Sequence, residues 1–227
     1  MFNQTKSLIL GSLVLGSALC VSASAASVTI GTANPGDGNE FPFGLGFGGS
    51  DYEQVYNASN FSGSMAINEI SFFNTAFNPG GGTWADGTYS FYLSTTSVAV
   101  GALVGNDEGA DNALFGSFTL SGSVPAGQIS FSGNAFNYDP TLGNLLLDIK
   151  ISGHDGTGNL FLDAMNGNSG TLMSRKFDFG GGDSGYGLVT EFGTNGGGHV
   201  PEGGSTLALL SMISVGLVAL RRKFVRA

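Results

Sequence analysis

Thr88-Tyr89-Ser90-Phe91-Tyr92-Leu93-Ser94 is the stretch on which the fold class turns. Aromatic side chains and a β-branched threonine suit a pleated, half-buried surface, so the run predicts a β-strand. Working outward, short apolar segments of the same kind recur at 27–32, 52–56, 65–74, 114–120, 128–131, 144–151, 159–164, 175–179 and 187–192. Clusters of Gly, Asn, Asp, Ser or Pro separate them, which is the turn chemistry of all-β proteins. A parallel sheet would need helical crossovers. The only hint of a helical turn is at 97–103, which reads equally as loop. About ten short strands between 26 and 193 therefore predict an all-β, antiparallel β-sandwich of jelly-roll-like form.

Composition agrees. The chain has 39 glycines in 227 residues, 18 phenylalanines and only 11% charged residues. Glycine costs about 1 kcal/mol in a helix interior, and good helix formers are scarce. The glycines follow no collagen-like period, and the regular apolar segments argue against low-complexity disorder. Long glycine-rich links mark the edges of the body: a Gly/Pro loop at 34–49, and a tether at 194–199. No internal repeat is evident.

Both ends read as addresses. Lys6, an apolar stretch at 8–20 and the small-residue exit containing Ala23 and Ala25 make residues 1–25 a secretory signal peptide, with cleavage expected after Ala25. Cys20, the one cysteine, leaves with it, so the mature protein has no disulfide. At the other end, Pro201-Glu202-Gly203-Gly204-Ser205-Thr206 precedes an apolar run and then Arg221-Arg222-Lys223. As a helix, residues 205–220 span about 24 Å. That is short but tolerable for a hydrocarbon core of about 30 Å. The basic stop would stay cytoplasmic, with the body outside. On these physical grounds an ordinary membrane anchor and a processed sorting signal fit equally well.

The order of motif, apolar helix and basic end resembles the PEP-CTERM sorting signal of exported proteins in Gram-negative bacteria that make exopolysaccharide. The family pattern begins Pro-Glu-Pro; here Gly203 replaces the second proline, closer to a Val-Pro-Asp-Gly-Gly-Ser variant with Glu202 in the acidic place. The stretches Tyr52-Glu53-Gln54-Val55-Tyr56-Asn57, Gly87-Thr88-Tyr89-Ser90-Phe91-Tyr92 and Asn137-Tyr138-Asp139-Pro140 are also similar to recurrent segments of such proteins. The resemblance implies recognition by an exosortase and cleavage near Pro201 and Glu202. It also implies a transient inner-membrane intermediate, and a final home at the cell surface or in the biofilm matrix. It brings no catalytic residues.

Charge narrows the partners. Residues 26–200 hold three basic side chains (Lys150, Arg175, Lys176) against 16 acidic ones, a formal charge of −13. Such a surface repels phosphate backbones and excludes nucleic acid as an expected partner. Extracellular acidity makes Ca²⁺ worth weighing, with Asp107, Glu108 and Asp111 in one loop and Asp155 in another as candidates. A hard cation wants six to eight oxygens. Neither loop has EF-hand spacing, and solvated turn residues account for the same pattern. His154 and His199, the only histidines, support neither a zinc site nor a Ser-His-Asp arrangement, and no G-x-S-x-G elbow is present. Glu53, Glu69 and Glu191 lie in strand-like segments where two acids could reach glycosidase spacing. Trp84, in a glycine loop, is a candidate carbohydrate contact; Tyr52, Tyr56, Tyr89 and Tyr92 are weaker ones, with core packing the competing role.

The sequence thus predicts an exported, non-catalytic matrix protein associated with exopolysaccharide and needing no cofactor. A polysaccharide-acting enzyme or a calcium-dependent adhesin is the alternative.

Overall fold

A computed structural model describes residues 27–167, 171–178 and 181–194. The signal segment, the tether from 195 onward and the sorting tail, with the helices expected at both ends, lie outside the described residues. The strands in chain order are β1 (Ser27–Ile30), β2 (Gly38–Asn39), β3 (Asp51–Tyr56), β4 (Met65–Phe73) and β5 (Gly82–Thr83). They continue with β6 (Gly87–Thr96), β7 (Ala113–Leu120), β8 (Ser123–Val124), β9 (Gln128–Tyr138) and β10 (Asn144–Ser152). The last are β11 (Leu162–Asn166), β12 (Met173–Phe177), β13 (Gly181–Ser184), β14 (Tyr186–Leu188) and β15 (Thr190–Gly193).

Period-two burial produces the layers. Tyr89, Phe91 and Leu93 of β6 are buried while Ser90 and Tyr92 remain half-buried; on β10, Leu145, Leu147, Ile149 and Ile151 face the same way. Two antiparallel sheets result, one in the order β1-β15-β4-β9 and one in the order β13-β12-β3-β10-β6-β7. Two small ones, β14-β11-β2 and β5-β8, accompany them. Rings from the two large sheets meet between them: Phe91 lies 4.9 Å from Phe131 and Tyr56 lies 4.8 Å from Phe192, centroid to centroid. The all-β, antiparallel reading of the sequence is borne out.

The 34–49 loop differs from its expected role as an edge link. Its Phe43 and Phe47 are fully buried. Phe43 lies 5.2 Å from Tyr89 and 5.4 Å from Phe72, so a loop ring joins both sheets. Glycines between the rings make this path possible: a side chain on Gly44 would meet the Leu160 carbonyl at 2.6 Å. The strand expected at 187–192 is two, because the chain passes from the small sheet to the large one at Val189, whose amide donates to the Asp163 carbonyl. Strand β9 runs past its expected end at 131 through a bulge opposite Ile67 and Glu69. There Gly133 admits the Phe115 carbonyl and ring, and Asn134 Nδ2 donates to the Leu114 carbonyl, tying β9 to β7.

One buried polar network crosses the core. Gln54 Oε1 accepts from Tyr52 OH and the Leu188 amide, and its Nε2 donates to Tyr56 OH and the Leu188 carbonyl. Tyr56 OH in turn donates to Thr190 Oγ1 at 2.8 Å. Each partner satisfies a group that would otherwise be costly to bury.

Replacing Phe43 by alanine removes the ring that fills the space between the sheets. It is expected to lower stability by about 3–5 kcal/mol in urea unfolding. A loss below about 1 kcal/mol would mean that the loop is peripheral to the core.

Candidate functional site

Two alternating charged pairs build the candidate site. On β3, Asp51 and Glu53 face away from the core because Tyr52, Gln54 and Tyr56 face into it. On β10, Asp148 and Lys150 do the same between Leu147, Ile149 and Ile151. The register sets Asp148 opposite Glu53 and Lys150 opposite Asp51. On the far sides, Lys176 of β12 stands opposite Glu53 and Tyr92 of β6 opposite Asp148.

The loop 97–112 roofs this outer face. The Asp107 amide donates to Glu53 Oε1 at 3.2 Å, the Gly101 amide to Ser174 Oγ at 2.7 Å, and the Gly109 amide to Ser94 Oγ at 3.1 Å. Asn144 Nδ2 donates to the Val98 carbonyl, and Thr96 Oγ1 to the Asp107 carbonyl. Within the loop, Asp107 Oδ2 accepts from the Val104 and Gly105 amides, and Asn106 takes a left-handed φ of 58°.

Under this roof Glu53 is 2% and Asp148 1% exposed. The Lys150 ammonium lies 2.9 Å from Asp148 Oδ2, 3.2 Å from Glu108 Oε1 and 3.4 Å from Asp51 Oδ2. The Asp148 contact is an ion pair without hydrogen-bond geometry, unlike the other two. Burial pushes the Glu53 carboxyl up to about 7; the charges of Asp107, Asp51 and Glu108 add to this, and the Asp107 amide opposes it. Burial likewise carries Asp148 up to about 8, helped by the Asp51 carboxyl within hydrogen-bonding reach and opposed by Lys150. Burial alone would lower Lys150, but Asp148, Asp51 and Glu108 hold its ammonium above the ordinary lysine range. Beside the cluster is a cavity of about 220 Å³, bordered by Asp51, Glu53, Asn106, Lys176, Phe177 and Asp178. Chemically the arrangement attracts protons and other small positive groups.

The residues singled out from sequence are distributed as follows. Asp107 and Glu108 belong to this cluster, but their carboxylates serve the loop amides and Lys150. Asp111 accepts from the Thr95 amide, and Asp155 accepts from Thr157 and the Asp86 amide in a different loop. Among the described residues no three acidic or histidine side chains converge as metal ligands. Glu53 lies on the outer face of the six-stranded sheet, apart from Glu69 and Glu191, which lie diagonally opposed on neighbouring strands of the four-stranded sheet, Glu69 opposite Gly193 and Glu191 opposite Ser71. Glu191 accepts from Thr29 Oγ1 and Gln128 Nε2. Trp84 is half-buried, its ring 5.5 Å from Phe43 and 6.2 Å from Phe131, so its loop folds back onto the core. Tyr52, Tyr56 and Tyr89 are fully buried and present no face to a sugar, because their strands turn them between the sheets. His154 Nδ1 accepts from the Gly156 amide, and its ring lies 6.3 Å from Phe47. The sorting-motif residues, basic stop and signal exit lie outside the described residues, and among the described residues no helix is long and apolar enough to cross a membrane.

Sequence reasoning passed over Asp51, Asp148 and Lys150. The available signal was charge at alternate positions of two apolar strands, Asp51 with Glu53 and Asp148 with Lys150. What it lacked was the pairing of those strands.

Substituting Lys150→Met removes the ammonium that touches three carboxylates. The melting temperature, followed by circular dichroism, is expected to fall, and to fall further at pH 9 than at pH 5, because more of the carboxyls are then ionised; an equal loss at both would contradict the shared ion pairing. The Trp84 packing predicts blue-shifted fluorescence with partial shielding from acrylamide; emission and quenching like those of free tryptophan would contradict it. The chain matches no known family model, no curated protein and no solved structure.

Proposed function

We propose that this is an exported, non-catalytic protein of the cell surface or extracellular matrix. An exosortase processes it after Sec-type export, and it is associated with exopolysaccharide in the biofilm of a Gram-negative bacterium. The observation that carries the reading is the C-terminal order of Pro201-Glu202-Gly203-Gly204, an apolar run and Arg221-Arg222-Lys223, in a chain that opens with a signal-like segment. The body supports it. It gains its stability from an aromatic core without a disulfide, and its excess of acidic over basic side chains suits a hydrated extracellular setting.

Within this proposal the sandwich is a jelly roll. Strand order favours it: β1-β15-β4-β9 faces β3-β10-β6-β7, so successive strands of this set alternate between sheets except at the β6-β7 pair, in the manner of two nested Greek keys, with β12 and β13 added at one edge. A jelly roll presents surfaces and loops on a rigid frame, which is the task of a matrix component.

Mass spectrometry of the mature protein from its native host tests the reading. The expected product begins at Ala26 and ends near Val200, and Glu202→Ala is expected to accumulate a longer, membrane-associated form. A mature protein that yields peptides through Leu207 to Arg226 would overturn it.

A further inference from the structure

Under the 97–112 loop, three carboxyl groups meet with too few donors. Among the described residues no hydrogen-bond donor reaches Asp51 Oδ1, Glu53 Oε2 or Asp148 Oδ1, and all three oxygens are buried. Buried polar atoms are rarely left in this state. The Asp148 carboxyl lies within hydrogen-bonding reach of both Asp51 and Glu108. Two carboxylates cannot hydrogen-bond to one another; a carboxyl and a carboxylate can. The missing donor in this geometry is a proton on Asp148, and Glu53 Oε2, equally buried and without a donor, calls for a second.

We infer that protons held by Asp148 and Glu53 clamp the 97–112 loop onto the outer face of the six-stranded sheet, and that the loop lifts as they are lost to solvent. The groups facing these carboxyls come from every neighbouring element. They are Asp51 on β3, Lys150 on β10, Tyr92 on β6, Lys176 on β12, Asp107, Glu108 and Asp111 of the loop, and Asp178 beyond β12. Lys150 neutralises one negative charge among them. Once Asp148 and Glu53 ionise, Asp51, Asp107 and Glu108 remain beside them, and the carboxylates repel across a partly dry space. The loop is the element able to move, because side-chain acceptors such as Ser94, Ser174 and Glu53 hold it where strands would use a ladder. Its release opens the cavity beside Glu53.

The sign follows from proton binding. Ordinary Asp and Glu carboxyls in an unfolded chain release protons near pH 4. In the folded chain Glu53 holds its proton to about 7 and Asp148 to about 8. Between these limits the folded state binds more protons, so its stability from these groups is full below about pH 4 and falls as pH rises to about 8.

Hydrogen exchange of the full chain at pH 5.5 and pH 9, expressed as protection factors, tests the clamp. Amides of Gly101, Asp107 and Gly109 are expected to lose at least tenfold protection at pH 9, while those of β4 and β15 keep theirs. Asp148→Asn, which supplies a permanent donor of the same shape, is expected to reduce that loss to less than threefold, and Glu53→Gln to reduce it in part. Unchanged loop protection in the wild-type chain would overturn the proposal, as would an undiminished loss in Asp148→Asn. Should Asp148→Asn not fold, the wild-type profile and Glu53→Gln decide: an undiminished loss in Glu53→Gln then counts against the clamp.

Discussion

Burial of aromatic rings between two antiparallel sheets is the constraint on which the other features depend. Phe72 and Phe131 from one sheet, Tyr89 and Phe91 from the other, and Phe43 from a loop form one continuous contact. Each aromatic brings a large area out of water, and together they take the place of cross-links in a body that contains no cysteine. That packing fixes which side of each strand faces inward. With Tyr52, Gln54 and Tyr56 committed to the core, Asp51 and Glu53 have only the outer face. The charged cluster is therefore a consequence of how the core is filled, with β3 and β10 neighbours in the sheet.

Much of this was legible in the sequence, and what was missed has physical causes. Strands rich in Tyr, Phe and Leu, such as β6 and β10, announce themselves through local preference. The second half of β9, Ser-Gly-Asn-Ala-Phe-Asn-Tyr, does not; pairing to β4 and contact with β7 hold it extended. Phe43 and Phe47 sit among glycines and a proline, so composition marks a surface link while the rings themselves seek the core. The acid cluster is the clearest case. Asp107 and Glu108 attract attention as a local acidic loop, but their partners lie on strands remote in sequence. Register is a tertiary property, and a single chain read from end to end does not display it.

The outer face of the six-stranded sheet also shows how a strongly acidic body tolerates close-packed carboxylates. Lys150 reaches three of them, the loop amides take up Asp107, and Lys176 flanks Glu53. With so few basic residues in the body, the concentration of two of its three cations on one face is a large share of the available compensation. The third, Arg175, stands opposite Gln54, on the other face of the same sheet. Its guanidinium carbon lies 4.1 Å from the centroid of the Tyr186 ring, so an aromatic face meets its charge there.

Ser27 pairs with Gly193, so the first strand of the body is zipped to its last. A chain threaded across a membrane from its N-terminus would emerge with β1 and β4 waiting, side by side with a gap, for a strand not yet delivered. The four-stranded sheet closes only when residues 190–193 arrive. In a chain exported as proposed, completion of the body would mark that passage is nearly finished, and a chain halted partway would stay open to proteolysis. Ser27 and Gly193 lie side by side, so both ends of the described body leave from one pole.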